Sequence, residues 1–438
     1  MLNTKKKKII LFSLIGFVIL LIIGVISLFL LGKDELPTND KGLWLSNLNI
    51  FEQENLFYCL SEASDKINLS EDESIRDYYE GNIESTTLFL EKNKEFFNYF
   101  DKCLSFNTFQ DPAYINIEDF WIGSILYSRP EITWSAKLVL INARHLFRQG
   151  EEEQAFNEAF KVVKIGHIME NSQGPLIQYL VSLSVKEMGL RQLREMLPDA
   201  KLSSALLRSY AESLDEFKDS REGLTKGIKA ECMSMMNTKI KFLDGIATEE
   251  ELEYLGINNE INNIKRYIPY FYKPNKTQRI MTNFFRIMIT NTTVDYFKDV
   301  QSEYSALNLD EIKIPTSKIR MLFTENIMGR FFLNTSLVAF PGSRKKRFLE
   351  NFSVIGTQTL FAIKSHWQDN HVMPSSLEEL VPEYLKEVPL DPFDAQPIRY
   401  SPEKAIIYSV GDDLIDNGGI PEDYMKIIEP TLIIGFGQ

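Results

Sequence analysis

The chain has 438 residues, of which 44% are hydrophobic and 12% aromatic; this is material for two or three packed domains and too apolar for a disordered chain. The formal net charge is −13. Four of the 48 basic residues fall within residues 1–8 and all 61 acids lie beyond them, so the remainder carries −17, which excludes nucleic acid as a natural partner.

Lys5, Lys6, Lys7 and Lys8 precede Ile9 to Leu31, a run of 23 residues without a charge. At about 1.5 Å per helical residue the run is about 35 Å long, enough to cross a hydrocarbon core of about 30 Å. The basic flank places the N-terminus in the cytoplasm and the rest of the chain outside. This predicts a basic cytoplasmic tail over 1–8 and a transmembrane signal anchor over 9–31. The expected location is the bacterial inner (cytoplasmic) membrane, with the bulk of the chain extracytoplasmic. A cleaved signal peptide would have an apolar core of about 7–15 residues ending in small residues, and Ser27-Leu28-Phe29-Leu30-Leu31 offers no such site. Residues 32–42, with Gly, Pro, Asn and Asp, read as a short linker.

Residues 43–345 read as an extracytoplasmic α-helical domain. Apolar residues recur at helical spacing from Leu138 through Val163, which fits two amphipathic helices broken at Gln149-Gly150. Further helices are expected at about 47–66, 71–104, 176–196, 202–243, 247–265, 275–305, 318–338 and 346–369. The small residues Ala143, Gly150, Ala155 and Ala159 resemble the contacts of one tetratricopeptide hairpin. A repeat step of about 34 residues lands on Ile177, Ser184 and Gly189, which do not continue the pattern, so the region reads as an irregular bundle. Cys59 and Cys103, in consecutive predicted helices, could pair across a hairpin, or with Cys232 could serve as small buried hydrophobes.

Catalytic motifs are absent: no H-E-x-x-H, C-x-x-C, G-x-S-x-G, Walker or G-x-G-x-x-G pattern occurs. His145 and His167 belong to the helical hairpin, and His366 and His371 flank a helix end where imidazole suits the backbone carbonyls. Arg344-Lys345-Lys346-Arg347 reads as a solvated basic face or a contact for anionic headgroups. Tyr267, Tyr270, Phe271 and Tyr272 form an aromatic loop expected to pack over the bundle end or to grip a ligand.

The last ninety residues change character: eight of the 17 prolines lie there, and Ser376-Leu377-Glu378-Glu379 is a capping box that predicts a short helix from Leu377 to Tyr384. Four blocks follow in order: Met373-Pro374 to Leu385, Val388-Pro389-Leu390-Asp391-Pro392-Phe393, Pro397-Ile398-Arg399-Tyr400, and Tyr408-Ser409-Val410-Gly411-Asp412-Asp413. This succession resembles the C-terminal part of the major pseudopilin of type II secretion systems, and the tails of a group of bacterial membrane-anchored proteins. The resemblance implies a long helix packed on a small antiparallel sheet over 346–438. It also implies a Ca²⁺ site in the following loop, where Asp412, Asp413, Asp416 and Asn417 would be the ligands; a solvated acidic turn is the competing reading. The apolar run lacks the acid that a pilin needs early in its mature helix, so polymerisation as a pilin is not expected.

The fold class expected is mainly α: an N-terminal transmembrane helix, an irregular bundle and a small α+β pseudopilin-like module. The function expected is that of an interaction or scaffold protein of the envelope, with a protein partner there and no enzyme activity. The alternative is a membrane-tethered hydrolase, which requires a cleft with two carboxylates converging within about 5–10 Å.

Overall fold

A computed structural model describes residues 4–46, 48, 50–68, 83–114, 130–218, 221–244, 270–298, 309–337, 342–419 and 430–436. The chain is mainly helical, with one small sheet. In chain order the helices are α1 (Thr4–Leu31), α2 (Leu56–Ser64), α3 (Ile83–Lys92), α4 (Lys94–Cys103), α5 (Pro130–Gln149), α6 (Glu152–Glu170) and α7 (Leu176–Met196). They continue as α8 (Ser204–Ser213), α9 (Arg221–Thr238), α10 (Pro274–Asn291), α11 (Leu309–Ile312), α12 (Lys318–Leu322), α13 (Ile327–Leu337) and α14 (Ser343–Asn370). The strands are β1 (Arg399–Ser401), β2 (Ile406–Tyr408) and β3 (Thr431–Ile433), antiparallel in the order β1-β2-β3.

Two compact units form, each from separate stretches of chain: residues 1–44, 232–287 and 304–340 in one, and 45–231, 288–303 and 341–438 in the other. The predicted helical region is thus shared between both.

In the first unit, α1 shows apolar side chains on every side: Phe17 to Ile23 are all exposed, as are Phe12, Leu14 and Ile26. Among the described residues no helix is long and apolar enough to cross a membrane, so the span Ile9 to Leu31 stays an expectation. The stretch after α1 is not a free linker. Asp34 accepts hydrogen bonds from the backbone N–H groups of Asn275 (2.7 Å) and Lys276 (3.1 Å), capping the first turn of α10, and Glu35 pairs with Arg279 at 2.5 Å. The expected single helix over 318–338 is two, α12 and α13, because Asn326 takes a left-handed conformation (φ 55°) between them. Its buried side chain accepts from Lys273 N–H at 2.8 Å, which offsets the strain. Tyr270 and Tyr272 pack inward, their hydroxyls donating to Phe323 O (2.7 Å) and Asp244 (2.6 Å), so packing rather than ligand capture accounts for them. Tyr267 and the expected helix 247–265 lie outside the described residues.

In the second unit the predicted hairpin is present as α5 and α6, joined at Gly150 with φ +86°. Helices α6 and α7 approach so closely that a Cβ on Gly189 would come within 2.9 Å of Ala159 O, and one on Gly166 within 2.5 Å of Lys186 N. Helix α14 runs through the middle. Phe352 to His366 are buried without interruption, and Phe361 meets Phe156, Phe160 and Tyr210 with ring centroids 5.8, 6.4 and 5.9 Å apart. It therefore packs on α7 and α8 on one side and on the sheet on another, where Leu432 of β3 lies over Gly356.

Cys59 and Cys103 form a disulfide that ties α2 to α4 with Cα atoms 5.5 Å apart; Cys232 is free and buried. The predicted helix 71–104 is α3 and α4 where described, separated at Asn93, whose side chain bonds back to Phe89 O at 2.9 Å. The predicted helix 202–243 breaks into α8 and α9. A four-residue 3₁₀ turn over Leu214–Phe217 frees the Phe217 carbonyl, which takes a hydrogen bond from buried Lys186 at 3.0 Å. The helix expected over 377–384 is a 3₁₀ turn of four residues, Leu377–Leu380. Glu379 reaches back to Ser375 N–H (3.0 Å) and the Ser376 hydroxyl caps no backbone donor, because only one turn is built.

Candidate functional site

A half-open cleft of about 1300 Å³ lies in the second unit. Helix α7 runs along it with Leu180, Leu183, Ser184, Glu187, Met188 and Arg191, residues three or four apart that share one helical face. Helix α5 contributes Trp134, Lys137 and Leu140, α14 contributes Lys346, Leu349, Glu350 and Ser353, and β3 closes the cleft with Thr431 and Leu432. The surface is largely aliphatic. Lys137, Arg191 and Lys346 are exposed, and among the described residues their side chains have no ion-pair or hydrogen-bond partner.

Behind the aliphatic surface stands a buried ionic cluster. The Lys186 side chain, 0% exposed, puts its Nζ 2.7 Å from Glu170 and 2.5 Å from Glu350 Oε1. His167 Nδ1 lies 2.7 Å from Glu170 Oε1. Burial pushes the Glu350 carboxyl up to about 8 against the attraction of Lys186, and the neighbouring charge of Glu170 adds to the rise. Burial opposes the charge on Lys186, but Glu350 and Glu170 outweigh it and hold the ammonium above its ordinary value. One buried cation thus stands between two carboxyls. Glu350 Oε2 has no hydrogen-bond partner, and its residue lines the cleft.

Two further acids line the cleft: Glu195, which lies 3.8 Å from Arg144, and Glu187, which is committed. Arg194 holds it at 2.5 Å, the Ser353 hydroxyl donates to it, and Arg194 also donates to Ser353 (2.9 Å) and Thr357 (2.8 Å). This lattice joins α7 to α14. A second cavity of about 520 Å³ is bordered by Lys164, His167 and Lys226, and the two lysine ammonium groups are spent on Leu104 O (3.0 Å) and Asn171 O (2.8 Å).

The residues singled out in the sequence fall elsewhere. Asp412 pairs with Lys345 at 2.7 Å, and Asp413 accepts from Ile415 N–H at 3.0 Å. Asp416 accepts from the Tyr408 hydroxyl (3.2 Å) and Gly418 N–H (3.0 Å), and Asn417 donates to Ile415 O at 3.4 Å. These four side chains serve local turns and ion pairs, and among the described residues no group of three or more His, Cys, Asp or Glu is placed to hold a metal. His366 stands edge-on to Tyr384, and His371 occupies the left-handed position after α14. The basic run is not a solvated face. Arg344 donates to Val294 O and Asp295 O, both at 2.9 Å, Arg347 donates to Thr292 O at 3.1 Å, and both arginines are buried; Lys346 alone is left open, in the cleft.

Three of the four tail blocks converge on Asp391. Its carboxylate accepts from Phe393 N–H (2.9 Å), Ser409 Oγ (2.8 Å), Val410 N–H (3.0 Å) and Arg399 (3.0 Å), while the Tyr400 hydroxyl donates to Pro374 O at 2.9 Å. No family model matches the chain, and neither the curated proteins nor the solved structures contain a significant match to it.

Proposed function

We propose that the protein is a single-pass, membrane-anchored recognition protein of the bacterial envelope, with Ile9 to Leu31 in the inner membrane and the α5–α7–α14 cleft as its binding surface. The observation that carries this reading is a large aliphatic cleft with unpaired Lys137, Arg191 and Lys346 at its edges. Unspent cations beside apolar surface are what an interaction site needs before its partner arrives. Export agrees with the Cys59–Cys103 disulfide, since such bonds persist in oxidising compartments, and with an α1 whose apolar side chains face outward all round. A pseudopilin-like tail would act as part of the scaffold that holds α14.

Recognition is favoured over hydrolysis because the three acids of the cleft are engaged: Glu187 by Arg194 and Ser353, Glu350 by Lys186, and Glu195 by Arg144 at 3.8 Å. Hydrolysis needs carboxyls free to exchange protons with a substrate and water. The test is a photo-crosslinking residue at Leu180 in the full chain, expressed in its native envelope. Adducts at Leu180 that disappear with K137E/R191E/K346E are the expected result, and an absence of adducts counts against the reading.

A further inference from the structure

The shape and charge of the cleft narrow its occupant. Along α7 from Leu180 to Glu195 the groove runs about 22 Å at 1.5 Å per residue. It is half-open, so an occupant keeps one face in water. An acyl chain in such a groove would leave apolar surface exposed along its whole length, whereas an amphipathic helix turns its polar face outward.

The three free cations stand on three different helices: Lys137 on α5, Arg191 on α7 and Lys346 on α14. A lipid presents a single anionic head, but charges distributed along several walls match a ligand with carboxylates spaced along its length. The long walls are helices whose backbone groups are already bonded, and the one strand at the groove, the edge strand β3, is three residues long, so an extended peptide would find only a short ladder to join there. A helix satisfies its own backbone.

Resting on the recognition reading above, we infer that the groove receives an acidic amphipathic α-helix of a partner polypeptide, about fifteen residues long. Its apolar stripe lies on Leu180, Leu183, Met188 and Leu349, and its Asp and Glu residues face Lys137, Arg191 and Lys346. Trp134, 39% exposed at the edge, is the aromatic anchor.

The experiment uses the full chain in phosphatidylcholine nanodiscs, panned against a displayed library of random 16-residue peptides, with the K137E/R191E/K346E protein as counter-selection. The expected result is enrichment of peptides with apolar residues at i, i+3, i+4 and i+7 and acidic flanks. A recovered peptide, synthesised and labelled, gains helical circular dichroism on binding. It binds the triply substituted protein about tenfold or more weakly, and it binds the wild type more weakly as salt rises. All three substitutions are at exposed positions, and an unchanged thermal melt of the K137E/R191E/K346E protein shows that folding is intact. Enrichment of basic or extended peptides overturns the helix, and so does recovery of the same peptides on wild-type and K137E/R191E/K346E protein. Charge-dependent binding of phosphatidylglycerol vesicles without any selected peptide overturns it in favour of lipid. If peptides fail while Leu180 adducts persist in the envelope, the helix is rejected and recognition stands; loss of both rejects both.

Discussion

Two buried acids of the same unit, Glu350 and Asp391, face burial in opposite ways. Asp391, 0% exposed, accepts from four donors supplied by its own loop and its neighbours, so every lone-pair direction is used. Glu350, 6% exposed, meets a shared ammonium with one oxygen and nothing with the other. A fully satisfied carboxylate organises a fold and has no capacity left over. Burial raises the proton affinity of both carboxyls, but the one left half-satisfied beside a groove retains bonding capacity.

The strongest way to break this comparison is Lys186→Met. Removing the cation leaves two acids buried without a counter-charge, and the expected loss is about 3–5 kcal/mol in urea unfolding. A loss under about 1 kcal/mol would mean that the cluster is not held by its charge. Asp391→Ala strands four donors and is expected to cost about 2–3 kcal/mol. Limited proteolysis would locate the damage in residues 391–419, and cleavage elsewhere first would contradict the organising role.

Glu350→Gln sharpens the contrast through pH. The carboxyl titrates near 8 in the folded chain and in the ordinary carboxylate range when unfolded, so the folded state binds the extra proton between those values. Its contribution to stability is therefore full below about pH 4.5 and is lost as pH rises through about 8. The Gln protein is expected to match the wild type at about pH 4 and to exceed it by a margin that grows as pH rises to about 8. Parallel pH profiles for the two proteins would refute the shift. Smallest of all, Arg191→Glu touches no partner and is expected to leave stability within about 0.5 kcal/mol in thermal melts.

The two acids also differ in how visible they were in the sequence. Asp391 lies inside one of four ordered blocks, and the blocks make sense because Arg399, Ser409 and Val410 all converge on it. Lys186 could have been found from one signal, a basic residue on the buried face that also carries Leu183, Gly189, Leu190 and Leu193. Its partners, 16 residues before it and 164 after it in sequence, could not. The α5–α6 hairpin was legible because 3.6-residue periodicity and Gly150 are local. The breaks at Asn326 and at Leu214–Phe217 were not, since each is stabilised by a distant polar group: Lys273 N–H in one case, the Lys186 ammonium in the other. The unpaired cations of the cleft look like any solvated helix residue until three helices bring them to one groove.

Asp34 and Glu35 hold the chain to α10 within four residues of the end of α1. Gly32 and Lys33 alone lie between, a leash of about 7 Å at full stretch. If Ile9 to Leu31 lies in the bilayer as proposed, the first unit would be mounted on a stem rather than moored by a rope. Its reach above the lipid surface would then be short, and a tilt of the anchor would act directly on the first turn of α10.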